Sequence, residues 1–319
     1  MPKNRPILSI VIPAFNEEKF LPRCLESLKN QDFKDFEIIV VDNNSTDKTA
    51  DIAKKFGVTL LFEKNQGPAF ARQKGFLNAK GEIIATTDAD TILPKNWLSR
   101  IFEEFKKDKD LVAFGGSCDF YSGPISLKLA SKFLLKPFLL FDKLISGSWS
   151  LMGCNMAIKK EAFFKVGGFN TSLKLNEDVE ISHRLSKVGK VTLDPKFKVK
   201  TSGRRYRNGL ILGLSVYFLP TISRLLFKKY GEFQKTFPPV RKEEESLFGR
   251  LSFPIISFLI LSFLLFRLST PKVVMAKNFL AKNLTKVKAV EIKIKNGIKN
   301  DFWKFKNLKF RHEKNFHHL

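Results

Sequence analysis

Short apolar runs alternate with amphipathic segments over the first 90 residues. Four runs have the length and continuous hydrophobicity of strands buried on both faces: 7–12, 36–42, 58–63 and 82–88. The segments between them have helical spacing at 17–30, from about Thr46, and over 68–78. Alternation of this kind predicts right-handed crossovers and therefore an α/β fold built on a doubly wound, mostly parallel sheet flanked by helices.

Polar residues follow three of these strands, at Asp42, Asn65 and Asp88. In parallel sheets, ligands bind beyond the carboxyl ends of the strands. The fourth run leads into TTDADTILP, in which only Ala89 separates Asp88 from Asp90. Two carboxylates this close repel each other unless a cation lies beside them, and hard oxygen ligands suit Mg²⁺ or Mn²⁺. An isolated Asp-x-Asp is more often a solvated turn, but three strand ends together favour a site for a nucleotide diphosphate and a metal. These ends carry Pro13 to Glu17, Asp42 with Asn43 and Asn44, and Asp88 with Asp90.

After about residue 111 the alternation of strand and helix patterns ends, and segments dense in apolar residues begin. Residues 126–144 interleave Leu and Phe with four lysines. This pattern fits a helix that contacts a membrane or lipid acceptor, and it equally fits a buried helix whose lysines are solvated. Two further apolar runs, 209–227 and 251–266, are candidates for membrane association. The second would rise about 24 Å as a helix, short of the roughly 30 Å hydrocarbon core.

Charge strengthens the case for an anionic partner, since the formal net charge is +25. Residues 269–319 carry thirteen Lys or Arg and three acidic residues. Apolar residues repeat every three or four positions among those lysines, which predicts a basic amphipathic helix on anionic membrane lipids; a solvated or disordered tail is the alternative. The predicted organisation is a nucleotide-binding domain at 1–205, a membrane-associated helical region at 206–268 and the basic tail at 269–319.

The cysteines and the N-terminus bear on location. The three cysteines are far apart and have no metal-ligand or redox spacing, which indicates reduced thiols. The first residues have no pattern of a cleavable signal peptide. We therefore expect a protein of the cell membrane, with the catalytic domain on the cytoplasmic side.

Four segments, in this order, resemble the family 2 glycosyltransferases with the GT-A fold. They are SIVIPAFNEEKFLPRCLESLKNQ, EIIVVDNNSTDKTADIAKKF, NQGPAFARQKGFLNAKGEIIATTDADTILPKNWL and NEDVEISHRLSKVGK. The resemblance runs from about residue 7 to residue 200. It implies a nucleotide-diphosphate sugar donor, usually activated with UDP or GDP, and a divalent metal, Mn²⁺ or Mg²⁺, under the diphosphate.

The resemblance also implies roles on the donor side. Asp42 is implied to contact the base or ribose, Asp88 the ribose or metal-bound water, and Asp90 the metal itself. The implied donor and metal residues together are Pro13, Phe15, Asn16, Glu17, Asp42, Asn65, Gly67, Arg72, Asp88 and Asp90.

The acceptor side is implied by later segments. Glu177 and Asp178 match the acidic pair of the family, and Asp178 is the implied general base. Without the upstream motifs, these acids would fit a solvated helix N-terminus. Low-ranked candidates for contacts with the acceptor or a phosphate are Gly153, Asn155, Glu177, Arg204 and Arg205. The two arginines suit a diphosphate or lipid phosphate, and equally a basic flank of a membrane segment.

The sequence therefore predicts a membrane-associated, metal-dependent, inverting glycosyltransferase of cell-envelope glycan or glycolipid synthesis. Its expected acceptor is a hydroxyl or phosphate, with a lipid-linked acceptor as one option, and nucleic acid is not an expected partner. One alternative is a sugar-phosphate nucleotidyltransferase, which would need a Gly-rich loop where this chain has PAFNEE. The other is a non-catalytic membrane tether with a vestigial nucleotide fold.

Overall fold

The computed structural model describes residues 5–123, 125–133 and 135–204. The strands in this part are β1 (Leu8–Ala14), β2 (Phe36–Asp42), β3 (Thr59–Phe62), β4 (Ile83–Thr86), β5 (Leu111–Phe120), β6 (Met156–Lys159) and β7 (Lys190–Thr201). The helices are α1 (Leu21–Lys29), α2 (Thr49–Lys55), α3 (Pro68–Asn78), α4 (Trp97–Lys107), α5 (Ile125–Phe133), α6 (Leu135–Ser146), α7 (Lys160–Lys165) and α8 (Glu177–Leu185).

The strands form one sheet in the order β3-β2-β1-β4-β6-β5-β7. Neighbouring strands run parallel except at β6, which is antiparallel to both β4 and β5. The predicted α/β fold with a mostly parallel sheet is confirmed. As a consequence, the loops after β1, β2, β3 and β4 all leave the sheet at the same edge.

Both faces of the sheet are covered, as the continuous apolar runs predicted. Ile10 and Ile12 face a core layer that includes Trp97 of α4, whereas Val11 faces a layer that includes Phe76 of α3. Successive strand residues point to opposite faces, so one strand contributes to both layers.

Strand β1 is longer than the sequence predicted. It continues through Pro13, which lies opposite Val41 of β2. Strand β4 pairs with β1 only as far as Val11. Beyond that residue β1 is open on one side, where a residue without an N–H is tolerated.

Two helices begin later than their predicted first residues. Helix α1 begins at Leu21 rather than Glu17, with Pro22 in its first turn, where proline is favoured. Helix α2 begins at Thr49 rather than Thr46. The carboxylate of Asp47 accepts a hydrogen bond from the backbone N–H of Thr49 at 2.9 Å, so Asp47 still satisfies a donor at the helix start.

The segment predicted as one helix over 126–144 is two helices, α5 and α6. No helix in the described part of the chain is long and apolar enough to cross a bilayer. The membrane-associated region predicted at 206–268 and the basic tail predicted at 269–319 lie outside the described residues.

Helix α3 packs so closely on the sheet that Gly75 has no room for a side chain. A Cβ at this position would lie 2.3 Å from Cγ1 of Val11 and 3.1 Å from Cγ2 of Val41. We expect Gly75→Ala to lower the free energy of unfolding by about 1–3 kcal/mol, because the methyl group overpacks the contact with β1 and β2. Urea unfolding of the full chain measures this change. Leu77→Ala, at an exposed position of the same helix, is the control and should change stability by less than about 0.5 kcal/mol; equal losses in both variants would contradict the close packing at Gly75.

Candidate functional site

The loops after β1 and β2 are joined to each other by hydrogen bonds. Asn16 has a left-handed φ of 54°, which asparagine tolerates better than most residues. Its Oδ1 accepts from the backbone N–H of Thr46 at 2.8 Å, and its own N–H donates to Oγ of Ser45 at 2.9 Å. Glu17 donates its backbone N–H to Oγ1 of Thr49 at 2.7 Å. Two of the predicted donor residues, Asn16 and Glu17, are thus fixed against the loop that follows Asp42.

Asn43, which the sequence placed at the polar end of β2 without an individual role, connects β2 to the loop after β3. Its amide nitrogen donates to the carbonyls of Glu63 at 2.9 Å and Asn65 at 2.7 Å, and its Oδ1 accepts from the N–H of Gly67 at 2.7 Å. Gly67 has a φ of 144°, in the region that favours glycine. The only signal in the sequence was the position of Asn43 directly after a strand. Asp42 itself is buried and accepts from the backbone N–H of Ser45 at 3.1 Å.

Arg72 lies at the centre of a buried cluster. Its side chain is 5% exposed. It forms ion pairs with Glu177 of α8 and with Oδ1 of Asp88, the latter at 2.6 Å. Its Nε also donates to Oγ1 of Thr86 at 3.4 Å. One guanidinium therefore connects α3, the end of β4 and the start of α8.

The predicted base, Asp178, is held beside this cluster by a backbone donor. The N–H of Gly153 donates to its Oδ2 at 2.7 Å. A Cβ at Gly153 would lie 2.6 Å from Nη2 of Arg72 and 3.2 Å from Oδ2 of Asp178. Any side chain at position 153 would therefore displace the guanidinium from the carboxylates.

Asn155 occupies the scaffold rather than the open side of the site. It is fully buried. Its amide nitrogen donates to the carbonyls of Ser117 and Phe197, at 3.0 and 2.9 Å, and its Oδ1 accepts from the indole N–H of Trp97 at 2.9 Å. The polar atoms of Asn155 thus connect β5, β7 and α4, and its suggested contact with a sugar stays a prediction.

A second cluster joins Asp90 to the end of the described chain. Oδ2 of Asp90 lies 3.1 Å from Nη2 of Arg204, and its Oδ1 accepts from Oγ1 of Thr201 at 3.2 Å. Arg204 also pairs with Glu17 and lies over the ring of Phe20, 4.5 Å from its centroid. The structure thus brings together Glu17, Asp90 and Arg204, which the sequence had assigned to nucleoside, metal and phosphate. Arg205 lies outside the described residues.

The carboxylates have the chemistry of an open magnesium or manganese site. Among the described residues, no three Asp, Glu, His or Cys side chains converge tightly enough to enclose a metal. Such a cage is not required, since these ions are often held by one or two carboxylates and completed by waters and substrate phosphates. Oε2 of Glu17, beside Asp90 and Arg204, is buried without a hydrogen-bond partner in the described structure. The donor set therefore fits a cation that Asp88 and Asp90 would hold together with a substrate.

Burial raises the pKa values of three carboxyl groups in the two clusters, those of Glu177, Asp178 and Glu17, and neighbouring carboxylates add to the rise. Burial raises the pKa of Glu177 to about 7, with Arg72 opposing and Asp178 adding to the rise. Burial likewise raises the pKa of Asp178, against the influence of Arg72 and the Gly153 N–H. Glu17 reaches a pKa of about 6 for the same main reason, and Arg204 opposes the rise. Within the described residues, the ion pairs of each cluster join more carboxylates than arginines, and this balance favours a bound proton or an added cation.

Comparisons with known proteins identify the family to which these sequence motifs belong. Residues 9–167 match the family model described as Glycosyl transferase family 2. An uncharacterized glycosyltransferase of Rickettsia typhi is 28% identical over 207 residues, covering 61% of this chain and 64% of that protein. The dolichyl N-acetyl-α-D-glucosaminyl phosphate 3-β-D-2,3-diacetamido-2,3-dideoxy-β-D-glucuronosyltransferase of Methanococcus voltae is 28% identical over 170 residues, covering 49% of each chain. The chain thus spans less than two thirds of the length of these curated relatives.

A solved structure shows the fold to be shared. The mannosyltransferase PcManGT from Pyrobaculum calidifontis, in complex with GDP-Man and Mn²⁺, superposes with a TM-score of 0.50 at 21% identity, over 68% of this chain and 66% of that one. The mostly parallel sheet and flanking helices of this chain have the arrangement of the GT-A type. Through residues 9–167, this chain belongs to the family 2 glycosyltransferases.

Proposed function

We propose that the protein is a metal-dependent inverting glycosyltransferase that moves a sugar from a UDP or GDP donor to a hydroxyl or phosphate acceptor. The observation that carries this proposal is that the Arg72 cluster and the Arg204 cluster lie at the same edge of the sheet. Asp178 is held by Gly153 at the same edge of the sheet as Asp88 and Asp90. Membership of the family favours sugar transfer over the nucleotidyltransferase and the vestigial tether.

The donor is bound, in this proposal, across the loops after β1, β2 and β3. The implied contacts are those of Pro13, Phe15, Asn16, Glu17, Asp42, Asn65 and Gly67. The hydrogen bonds through Asn16 and Asn43 support a preformed surface here, because they fix all three loops before any ligand is bound. The complex of the mannosyltransferase with GDP-Man supports a nucleotide-sugar donor in this fold.

Asp90 and Asp88 would hold the divalent metal. When bound, the metal supplies positive charge that stabilises the leaving diphosphate. Arg204 is the cation of the described chain beside Asp90, and its guanidinium is suited to pair with a phosphate oxygen in a fork. Arg72 has a different role in this proposal from the donor contact that the resemblance implied. Because it is buried between Glu177 and Asp88, it orients both carboxylates rather than the donor.

Asp178 would act as the general base. In a single displacement, the acceptor oxygen bonds to the anomeric carbon as the bond from that carbon to the diphosphate breaks, and the acceptor proton passes to Asp178. Inversion of the anomeric configuration follows. The raised pKa of Asp178 makes it a stronger base than an exposed aspartate, while the Gly153 N–H keeps its carboxylate oriented.

The acceptor and location are also proposals. The Methanococcus relative is named for a dolichyl phosphate-linked acceptor. Together with the apolar runs at 209–227 and 251–266 and the lysines of 269–319, this supports a lipid-linked acceptor at the cytoplasmic face of an anionic cell membrane. Synthesis of a cell-envelope glycan or glycolipid is the process that fits.

Asp178→Asn tests the base. We expect transfer to fall about 10²–10⁴-fold, because the amide cannot accept the proton yet can still accept from Gly153 and preserve the fold. Release of UDP or GDP from a panel of nucleotide sugars measures the rate, and NMR of any product gives its anomeric configuration. The matched control is Asp51→Asn, at an exposed position of α2. Full activity of the Asp178 variant would overturn its role as base, and a retained configuration would overturn the single displacement.

Asp90→Asn tests the metal site without requiring turnover. We expect the apparent affinity for Mn²⁺ in the presence of UDP or GDP to fall by at least about tenfold, since loss of a direct ligand should exceed the effect of losing a supporting residue. Electron paramagnetic resonance of free Mn²⁺ measures the binding. Asp110→Asn, which alters an exposed carboxylate, is the control. Unchanged Mn²⁺ affinity in the Asp90 variant would remove this residue from the proposed metal site.

Glu177→Gln tests the buried proton. The folded protein raises the pKa of Glu177 from its ordinary value of 4.5 to about 7, so this group contributes stability below pH 4.5 that is lost as the pH rises through about 7. The free energy of unfolding should therefore fall over this interval, with on the order of 2 kcal/mol from this group, and the variant should show a flatter profile. Urea unfolding as a function of pH measures it.

The slopes of the two pH profiles are compared, rather than stability at one pH, because replacing the carboxyl group also changes its contact with Arg72 and so shifts the whole profile. Glu17, with its own pKa of about 6, should leave a smaller decline of the same sign in the variant. Glu103→Gln, at an exposed position, should keep the slope of the unmodified protein. A Glu177 variant with that same slope would show that the group binds no proton in this range.

A further inference from the structure

Helices α5 and α6 present a concentration of exposed apolar side chains outside the site described above. We call this surface the hairpin face. It comprises Ile125, Leu129, Phe133, Leu140, Phe141 and Leu144. Leu144 is 81% exposed and Phe133 is 63% exposed. Only Phe62, Leu77 and Phe164 are other strongly exposed large apolar residues in the described chain, and they come from three different elements.

The opposite sides of the two helices are anchored. Leu127 of α5 is buried, and Leu139 of α6 belongs to the core layer that contains Phe76. Asp142 of α6 is also buried and accepts from the hydroxyl of Ser150 at 2.5 Å. Both helices therefore have an inner side that packs and an outer side that the described residues leave uncovered. Apolar patches of this kind mark interaction sites on soluble domains.

The exposed charges on α5 and α6 themselves have one sign. Lys128, Lys132, Lys136 and Lys143 are all exposed. The one acidic residue between positions 125 and 146 is Asp142, which is buried. Long lysine side chains can extend from an apolar surface to phosphate groups at its edge. Exposed apolar residues with lysines and without exposed carboxylates are the combination that binds the interface of an anionic membrane.

We propose that the hairpin face is a membrane-docking surface, with its apolar side chains at the boundary of headgroups and acyl chains and its lysines on anionic headgroups. A second copy of the chain is a weaker candidate, because a two-fold contact would bring the same lysines together. The tail at 269–319 carries the same sign of charge and would be repelled likewise.

The hairpin face is connected to the proposed base through α6. The hydroxyl of Ser150, which donates to Asp142, also lies 3.1 Å from Nε2 of His183 in α8. The next residue, Leu151, donates its N–H to Oγ of Ser182, and that hydroxyl donates to the carbonyl of Asp178. Docking of α6 would thus position α8 relative to the lipid surface. This inference rests on the proposed membrane location and lipid-linked acceptor, but not on the chemistry of transfer.

A site-specific probe separates the hairpin face from the rest of the full chain. Phe133→Cys and Phe62→Cys introduce single exposed thiols that are labelled with a polarity-sensitive fluorophore. The two positions match in residue type and exposure, at 63% and 58%. The natural cysteines Cys24, Cys118 and Cys154 are buried, which disfavours their labelling. Vesicles of phosphatidylcholine, with or without phosphatidylglycerol, are then added in the absence of a sugar donor.

We expect a blue shift at position 133 with the anionic vesicles, with quenching by lipids brominated in the acyl chain, and neither effect at position 62. Absence of a shift at position 133, or equal shifts at both positions, would overturn the proposal. Fluorescence at position 133 that is already blue-shifted relative to position 62, before any vesicles are added, would also overturn the proposal. If that shift is independent of protein concentration it identifies the chain's own residues as the cover, and if it rises with concentration it identifies a second copy.

Charge removal tests the role of the lysines. Replacing Lys128 and Lys132 by Gln should raise the lipid concentration needed for half of the shift at position 133 by about fivefold per lysine. The same replacement of Lys54 and Lys55, exposed residues of α2, is the control and should have a smaller effect. Equal effects would assign the attraction to net charge rather than to the hairpin face. Because no transfer is measured, failure here leaves the sugar-transfer proposal intact, and inactivity of an Asp178 variant leaves docking intact.

Discussion

The described architecture depends most on the ion pairs of Arg72. A guanidinium buried without partners would be strongly unfavourable, so the position of α3 is tied to carboxylates from the loop after β4 and from α8. Glu177 lies 105 positions away in the chain. The pairing therefore joins α3, in the first half of the described chain, to α8 near its end, and it does so close to Asp178. Gly153 is part of the same constraint, because only a residue without a side chain fits between Arg72 and Asp178.

The Arg72 and Arg204 clusters have similar charges, but they differ in burial and in the elements that they connect. In each, burial keeps the pKa values of carboxyl groups (Glu177, Asp178 and Glu17) above their ordinary values, and an arginine of the same cluster opposes the rise. The Arg72 cluster is buried and joins three elements of the core. The Arg204 cluster is more open and includes a residue beyond the last strand. The first is suited to holding a base in place, and the second to exchanging one cationic or anionic partner for another.

Local patterns were sufficient to predict the first half of the sheet. The strands β1 to β4 and helix α3 follow from apolar runs and helical spacing, and the ordered motifs led to Asp88, Asp90 and Asp178. Contacts between distant residues were not accessible in this way. The sequence contains nothing that pairs Arg72 with Glu177, and the burial of Asn155 depends on carbonyls from β5 and β7. The limits of the four-residue strand β6 could not be predicted from periodicity, since a segment this short has no detectable period; only the resemblance of residues 148–170 to the family's acceptor-side strand and turn indicated a strand there.

Strand β6 has a consequence for the order in which the protein folds. It is the only strand of the described sheet that pairs with both β4 and β5, so it joins two groups of strands that have no other strand pairing between them. Strand β5 is synthesised before β6, but it joins the sheet only after β6 has paired with β4. A nascent chain that ends before β6 can pair β1 to β4. It cannot join β5 to those strands, and it does not yet contain Glu177, the partner of Arg72. Pairing of the first four strands and formation of the Arg72–Glu177 ion pair should therefore occur in separate steps during synthesis, with the second step slowed by its long sequence separation.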